Sequence, residues 1–160
     1  MNERDEAKST TRETVAISRD YRQSVLLWLH LVRAYQRVAR EEAQVLASYG
    51  LTVAQFDMLS RLATEPGLSQ QALAERLLVT KGNVAGILDR LEAAGLVERR
   101  ANSTDRRVHQ IYLTPVGREA FERAAPALEA TIGSQLAVLT REEQLTLLRL
   151  AAKLDRTLRR

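Results

Sequence analysis

Apolar residues recur at three- and four-residue steps over most of this chain, the spacing of one face of a helix. From about Asp20 to Ser48 the series is Tyr21, Val25, Trp28, Leu29, Val32 and Tyr35, and Leu26, Leu27 and Leu31 widen the stripe beyond one contact surface. A helix apolar on so many sides is buried on several faces, and in a chain this small a second subunit is a source for one of them. Tyr49-Gly50 stops this helix, with Gly50 suited to the left-handed C′ position. Thr52 caps the next helix, Gln55 completes a capping box, and Val53, Phe56, Leu59 and Leu62 supply an inner face. Glu65-Pro66-Gly67 ends that helix. Ser69 then caps a short third helix with Leu73, Leu77 and Leu78 facing inward. Val79-Thr80 breaks it, and Thr80 caps a fourth helix that runs to about Ala94 on a buried stripe of Val84, Ile87, Leu88 and Leu91, with Gly95 closing it.

The period then changes. Residues 97–101 and 108–113 read as two strands, their alternation interrupted by Arg99-Arg100. Thr114 caps another helix with Pro115 at its first position. Pro126 and Gly133 predict a kink or break in that helix. Thr140 with Glu143 is a second capping box, followed by an apolar stripe of Leu145, Leu148, Ala152 and Leu158 flanked by Leu147, Leu150 and Leu154. The expected fold class is mainly α with a small β-hairpin.

Composition narrows the function classes. Hydrophobic residues are 45% of the 160, enough for a packed core. There is no cysteine, which removes disulfides, thiolate zinc sites and thiol redox switching. The first fourteen residues are polar and mixed in charge, so they are expected to be flexible and not a secretory signal. No segment has the ~18 uninterrupted apolar residues of a membrane span, and a cytoplasmic protein is the expectation. A formal charge of +4 permits a nucleic-acid partner without indicating one. Residues 50–115 hold eight Lys/Arg against seven Asp/Glu, so placement of the cations matters more than their number.

The stretch "SQQALAERLLVTKGNVAGILDRLEAAGLV" gives two short helices around a tight turn, a helix-turn-helix whose second helix is the candidate DNA reader. Opposite its apolar stripe lie Thr80, Lys81, Gly82, Asn83 and Gly86. Small residues let a helix sit deep in a major groove about 12 Å wide, Asn83 offers a donor and an acceptor to a base edge, and Lys81 reaches guanine or phosphate. Ser69 and Gln70, at the start of the preceding helix, join the DNA-facing candidates. A hairpin directly after the reader helix is placed as a wing, bringing Arg99 and the tip arginines Arg106 and Arg107 to phosphates or a narrow minor groove. Asp105 orients one of these arginines through a charge-assisted hydrogen bond. Arg90 is a further candidate for phosphate, against a structural pairing with Asp57 or Glu92 that the position of "DRLE" favours.

These residues carry a family resemblance. "ILDRLEAAGLVERRANSTDRRVHQIYLTPVG" holds, in order, the "DRLE" end of a reader helix, "GLVER", a "DRR" wing tip and "LTPVG" opening the next helix, and "LTVAQFDML" fits upstream. From about Asp20 onward the chain resembles the MarR (multiple antibiotic resistance regulator) winged helix-turn-helix transcription factors. The resemblance implies a homodimer in which the N-terminal and last two helices interlock while two winged lobes read a pseudo-palindromic operator. It divides the chain into a flexible arm (1–19), a helical dimerisation region (20–49 and 116–160) and a DNA-binding lobe (50–115). It also implies repression relieved by a small aromatic or phenolic effector. Asp57 fits the place of an acid that some urate- and phenolate-responsive relatives use, and Trp28, His30 and Tyr35 complete the candidate ligand set. Core and dimer packing is the competing reading of Trp28 and Tyr35, and a packed, hydrogen-bonded side chain that of His30.

No cofactor, metal or catalytic residue is expected. Ser103, Asp105 and His109 fall around an exposed turn without an oxyanion site, and two histidines do not make a metal centre. The alternative reading is a winged-helix protein-interaction module without an operator, against which the small-residue reader face and the wing arginines together argue.

Overall fold

The computed structural model describes residues 19–77, 81–101 and 109–158. The chain forms α1 (Arg19–Ser48), α2 (Val53–Thr64), β1 (Leu68–Ser69), α3 (Gln70–Leu77), α4 (Lys81–Ala93), β2 (Val97–Ala101), β3 (His109–Leu113), α5 (Pro115–Leu136) and α6 (Arg141–Leu158). It divides into two compact units, Met1–Gln36 and Arg37–Arg160.

The expected punctuation is present in detail. Thr52 N–H donates to Gln55 Oε1 at 2.9 Å while Thr52 Oγ1 accepts from Gln55 N–H, the reciprocal capping box at the start of α2. Thr140 and Glu143 repeat the device before α6, Thr140 N–H donating at 2.8 Å. Ser69 Oγ accepts from Ala72 N–H at 3.2 Å and caps α3. Gly50 and Gly95 take up the left-handed conformation at φ 73° and 69°. The expected cap at Thr80 and the inward Leu78 lie outside the described residues.

The sheet departs from expectation. It has three strands, antiparallel in the order β1-β3-β2, with Leu68 opposite Ile111 and Val97 opposite Leu113. The extra strand, β1, is two residues long, too short for alternation to reveal it. Of the kink or break expected in α5, the break is absent: the helix runs through Pro126 and Gly133. Proline removes one hydrogen bond of the ladder, yet Ala124 and Leu128, on either side of it, are both held in the core. One turn earlier, Phe121 stacks on Phe56 of α2 at 5.4 Å. Tertiary packing thus holds residues on both sides of Pro126.

The core of the larger unit gathers Leu46, Phe56, Met58, Leu59, Leu62, Leu73, Val84, Leu88, Leu91, Val97 and Ile111 around the junction of α2, α3, α4 and the sheet. Each leucine or isoleucine so buried contributes roughly 1.5–3 kcal/mol. No buried polar side-chain atom among the described residues lacks a hydrogen-bond partner.

Apolar faces remain uncovered in the single chain. In the smaller unit Trp28 is 63% and Tyr35 71% exposed, and Val25, Leu26, Leu27, Leu29 and Leu31 are also open to solvent. The expectation that α1 is buried on several faces therefore does not hold within one chain. On α6, Leu145, Leu147, Leu148, Leu150 and Leu154 are likewise exposed. Large apolar side chains left exposed together on one helix mark an interaction face. Among the described residues no helix is long and apolar enough to cross a membrane.

Candidate nucleic-acid interface

Helix α4 is two-sided. At about 100° per residue, Val84, Ile87, Leu88 and Leu91 fall within roughly 100° of arc, and all four are buried. Gly82, Asn83, Gly86 and Arg90 occupy another arc of roughly 100°. Of these Gly82, Asn83 and Arg90 are exposed and Gly86 is half-buried. A Cβ on Gly82 would meet nothing within 4 Å, so the helix surface there is open and flat. The Lys81 side chain and Thr80 lie outside what is described.

Arg90 is placed differently from expectation. Among the described residues it pairs with neither Asp57 nor Glu92. Its guanidinium instead lies over Gly86, 3.7 Å from where a Cβ would stand. Glu92 is occupied by Arg99 of β2, whose other terminal nitrogen donates to Asp89 at 2.6 Å. Arg99 thus bridges the wing strand and the second half of α4, with only 24% of its side chain exposed. The sequence carried a signal for this pair of acids: Asp89 and Glu92 are three apart and share a helix flank.

The base of the wing is held by a second set of contacts. The Arg100 guanidinium lies 4.5 Å from the centre of the Tyr112 ring, and its Nε donates to Glu98 at 3.0 Å. Behind the wing, the turn from α4 to β2 is locked to the start of α5. Thr114 Oγ1 donates to the Gly95 carbonyl at 2.7 Å and accepts from Gly117 N–H at 3.0 Å, while Thr114 N–H donates to the Leu96 carbonyl. Gly117 packs so closely on that carbonyl that a Cβ would run into it. The wing tip, with Asp105, Arg106 and Arg107, lies outside the described residues.

Beside the wing, Ser69, Gln70, Gln71, Ala72, Glu75, Arg99, His109 and Ile111 line an open hollow of about 460 Å³ at the start of α3. The structure therefore brings two sequence candidates, Ser69 and Gln70, together with Arg99. His109 stands at its rim as an exposed residue.

The candidate ligand residues are distributed over both units. Trp28, His30 and Tyr35 are exposed residues of α1 in the smaller unit, so His30 is not the packed histidine expected. Asp57 sits on α2 in the larger unit, where partial burial of its carboxyl raises its pKa above the ordinary carboxylate value. Burial, and secondarily the Asp57 charge, does the same to Glu42. Asp57 also lines a second hollow of about 380 Å³ with Ser60, Arg61, Thr64, Arg76 and Leu77. There Arg61 and Arg76 both grip Glu65, at 2.9 and 3.1 Å, tying α2 to α3, and these bonds, Arg61's first, lower the Glu65 pKa. Pattern reasoning missed this staple because its residues come from two helices. Among the described residues no three His, Asp or Glu side chains are grouped to hold a metal.

Comparisons with known proteins bear on this arrangement. The sequence profile of the MarR family matches residues 49–108, the span from the end of α1 through α4 and into the wing. An uncharacterized HTH-type transcriptional regulator of Bacillus cereus is 36% identical over 82% of this chain and 88% of its own length. The transcriptional repressor CouR, solved bound to a 23-mer DNA duplex, superposes with a TM-score of 0.76 at 34% identity, covering 83% of this chain and 94% of CouR. BpsR of Bordetella bronchiseptica, whose DNA binding is regulated by 6-hydroxynicotinic acid, does so at 0.73 and 30% identity, covering 78% of this chain and 89% of BpsR.

Proposed function

The chain belongs to the MarR family of transcriptional regulators, and from that premise we propose that it binds duplex DNA sequence-specifically as a homodimer, in the cytoplasm, and represses transcription. The observation that carries this reading is the two-sided α4, with Gly82, Asn83 and Gly86 facing out beside a braced wing. Asn83 makes base-edge hydrogen bonds, Lys81 and Thr80 contact the backbone or a guanine, and Arg90 reaches a phosphate across Gly86. Ser69 and Gln70, at the start of α3, meet the neighbouring backbone, and Arg106 and Arg107 do so from the wing, steadied by Asp105.

One lobe with so few base contacts discriminates poorly. Two lobes spaced about one helical turn apart, on the order of 34 Å, multiply the sequence information. The uncovered leucines of α6 and the apolar surface of α1 are the dimerisation faces in this reading, and residues 50–115 are the DNA-reading lobe. The protein acts by binding and not by catalysis.

A small aromatic or phenolic effector regulates the binding; the candidate contacts are Trp28, His30 and Tyr35 in the smaller unit and, separately, Asp57 in the larger. BpsR, regulated by a hydroxylated aromatic acid, supports this chemical class. An effector works only by preferring the lobe spacing that DNA rejects. Moving the population from mostly bound to mostly free takes about 5.5 kcal/mol of differential affinity.

The test is fluorescence anisotropy with a duplex selected from a random pool and a scrambled duplex of equal composition, titrated over a range of salt. The reading expects a strong preference for the selected duplex and a steep fall in affinity with salt. Equal, weak binding to both duplexes overturns it.

A further inference from the structure

The sequence reading turns Arg99 toward DNA, but its guanidinium is engaged inside the protein. One terminal nitrogen bonds Asp89 at 2.6 Å and the other bonds Glu92, both on α4, while Arg99 itself belongs to β2. Paired with Ile111 across the sheet, it sits in the wing's ladder two residues from its start. A planar guanidinium held at both ends by separate carboxylates fixes angle as well as distance, which a lysine cannot do.

The two acids matter for a second reason. Going round α4 at about 100° per residue, Asp89 falls only about 20° from Gly82 and Glu92 about 80° from it. Asp89 therefore borders the exposed arc, where a bare carboxylate repels phosphate. The wing itself is a two-stranded ribbon beyond β1, which reaches only Ile111 and Gln110. Among the described residues, the ion pairs that join β2 to α4 are those of Arg99.

Resting on the DNA-binding reading above, we propose that Arg99 is a positioning residue: its bridge to Asp89 and Glu92 sets the wing's angle to the reader helix and does not itself contact DNA. Direct contact and positioning make opposite predictions for one variant. Asp89→Asn with Glu92→Gln removes both negative charges and, leaving only neutral amide acceptors, loosens the hold on Arg99. If Arg99 is a DNA contact, freeing it tightens binding to the selected duplex. If Arg99 positions the wing, the released wing loses its angle. Binding to the scrambled duplex then rises with the more positive charge, while preference for the selected duplex falls on the order of tenfold.

The experiment measures both affinities by anisotropy for wild type, Arg99→Ala, Arg99→Lys, Asp89→Asn/Glu92→Gln, and the triple variant. Each is first checked for dimer formation and an unchanged helical circular dichroism spectrum. Positioning predicts that Arg99→Ala costs about as much preference as the double variant, and that adding it to the double variant costs little more. Arg99→Lys, able to hold one acid at a time, falls between. A double variant with preference equal to or above wild type overturns the proposal, as does a triple variant whose losses simply add. If wild type itself shows no preference between the duplexes, the DNA-binding reading has failed instead.

Discussion

Gly117 offers a prediction in which local preference and packing point in opposite directions. It occupies the first turn of α5, and alanine is preferred over glycine in helices by up to about 1 kcal/mol. On that ground Gly117→Ala stabilises. The structure says otherwise, because the new methyl group meets the backbone carbonyl of Leu96, which no rotamer change can move aside. Overfilling of this kind costs about 1–3 kcal/mol. The carbonyl also accepts from Thr114 N–H at 3.1 Å, so displacing it endangers a hydrogen bond worth about 1 kcal/mol. The net expectation is a loss of about 1–3 kcal/mol.

Gly133, further along the same helix, is the internal control. It is exposed, and a Cβ there meets nothing within 4 Å, so Gly133→Ala should gain about 0.5–1 kcal/mol. Urea unfolding at one fixed protein concentration, followed by circular dichroism, reads both as shifts of the midpoint at constant slope. If Gly117→Ala proves as stabilising as Gly133→Ala, the close joint between α5 and the α4–β2 turn is not as described. Because that joint also anchors the end of the reader helix, Gly117→Ala is expected to weaken DNA binding while Gly133→Ala leaves it unchanged.

Further expectations follow from the same geometry. Asn83→Ala should cost about 1–3 kcal/mol on the selected duplex and blur one base preference, read by anisotropy against single-base variants; an intact profile removes Asn83 from base reading. Arg106→Ala with Arg107→Ala should weaken binding to every duplex and flatten the salt dependence, and an unchanged slope excludes the wing tip from phosphate contact. Leu148→Asp places a charge on the uncovered face of α6 and should cost about 3–5 kcal/mol of dimer stability; a dimer surviving by light scattering at low concentration puts the interface elsewhere. Asp57 and Glu42 both have raised pKa values. A carboxyl whose folded pKa exceeds its unfolded one subtracts stability once ionised and nothing while protonated. Asp57→Asn should therefore be more stable than wild type at about pH 7, with the gap closing as pH falls through the carboxylate range. A gap that is constant with pH contradicts the assignment.

What the sequence disclosed depended on how local each signal is. Caps are written within four residues, so the boxes at Thr52–Gln55 and Thr140–Glu143 were legible without any tertiary knowledge. The buried stripe of α4 was legible because Val84, Ile87, Leu88 and Leu91 repeat at the helical period. A two-residue strand such as β1 has no period to read, and its existence depends on Ile111 and Gln110 arriving from elsewhere. Pro126 does not break α5, although propensity treats a helix in isolation, because residues on both sides of the proline are held by the core. The pairing of Arg99 was hidden for a related reason. Charge alone does not show that the place of Arg99 on β2, opposite Ile111, comes with a reach to both Asp89 and Glu92. The stripe of α1 read as buried on several faces because sequence patterns do not distinguish burial within a chain from burial between two.

The central claim is that α4 reads sequence in a symmetric pair, and the most direct test is to sequence the duplexes this protein enriches from a random pool. The account predicts an inverted repeat whose half-site centres lie about 10 base pairs apart, the spacing of two lobes on one face of the helix. A pool that stays unenriched, or an enriched site without two-fold symmetry, contradicts it.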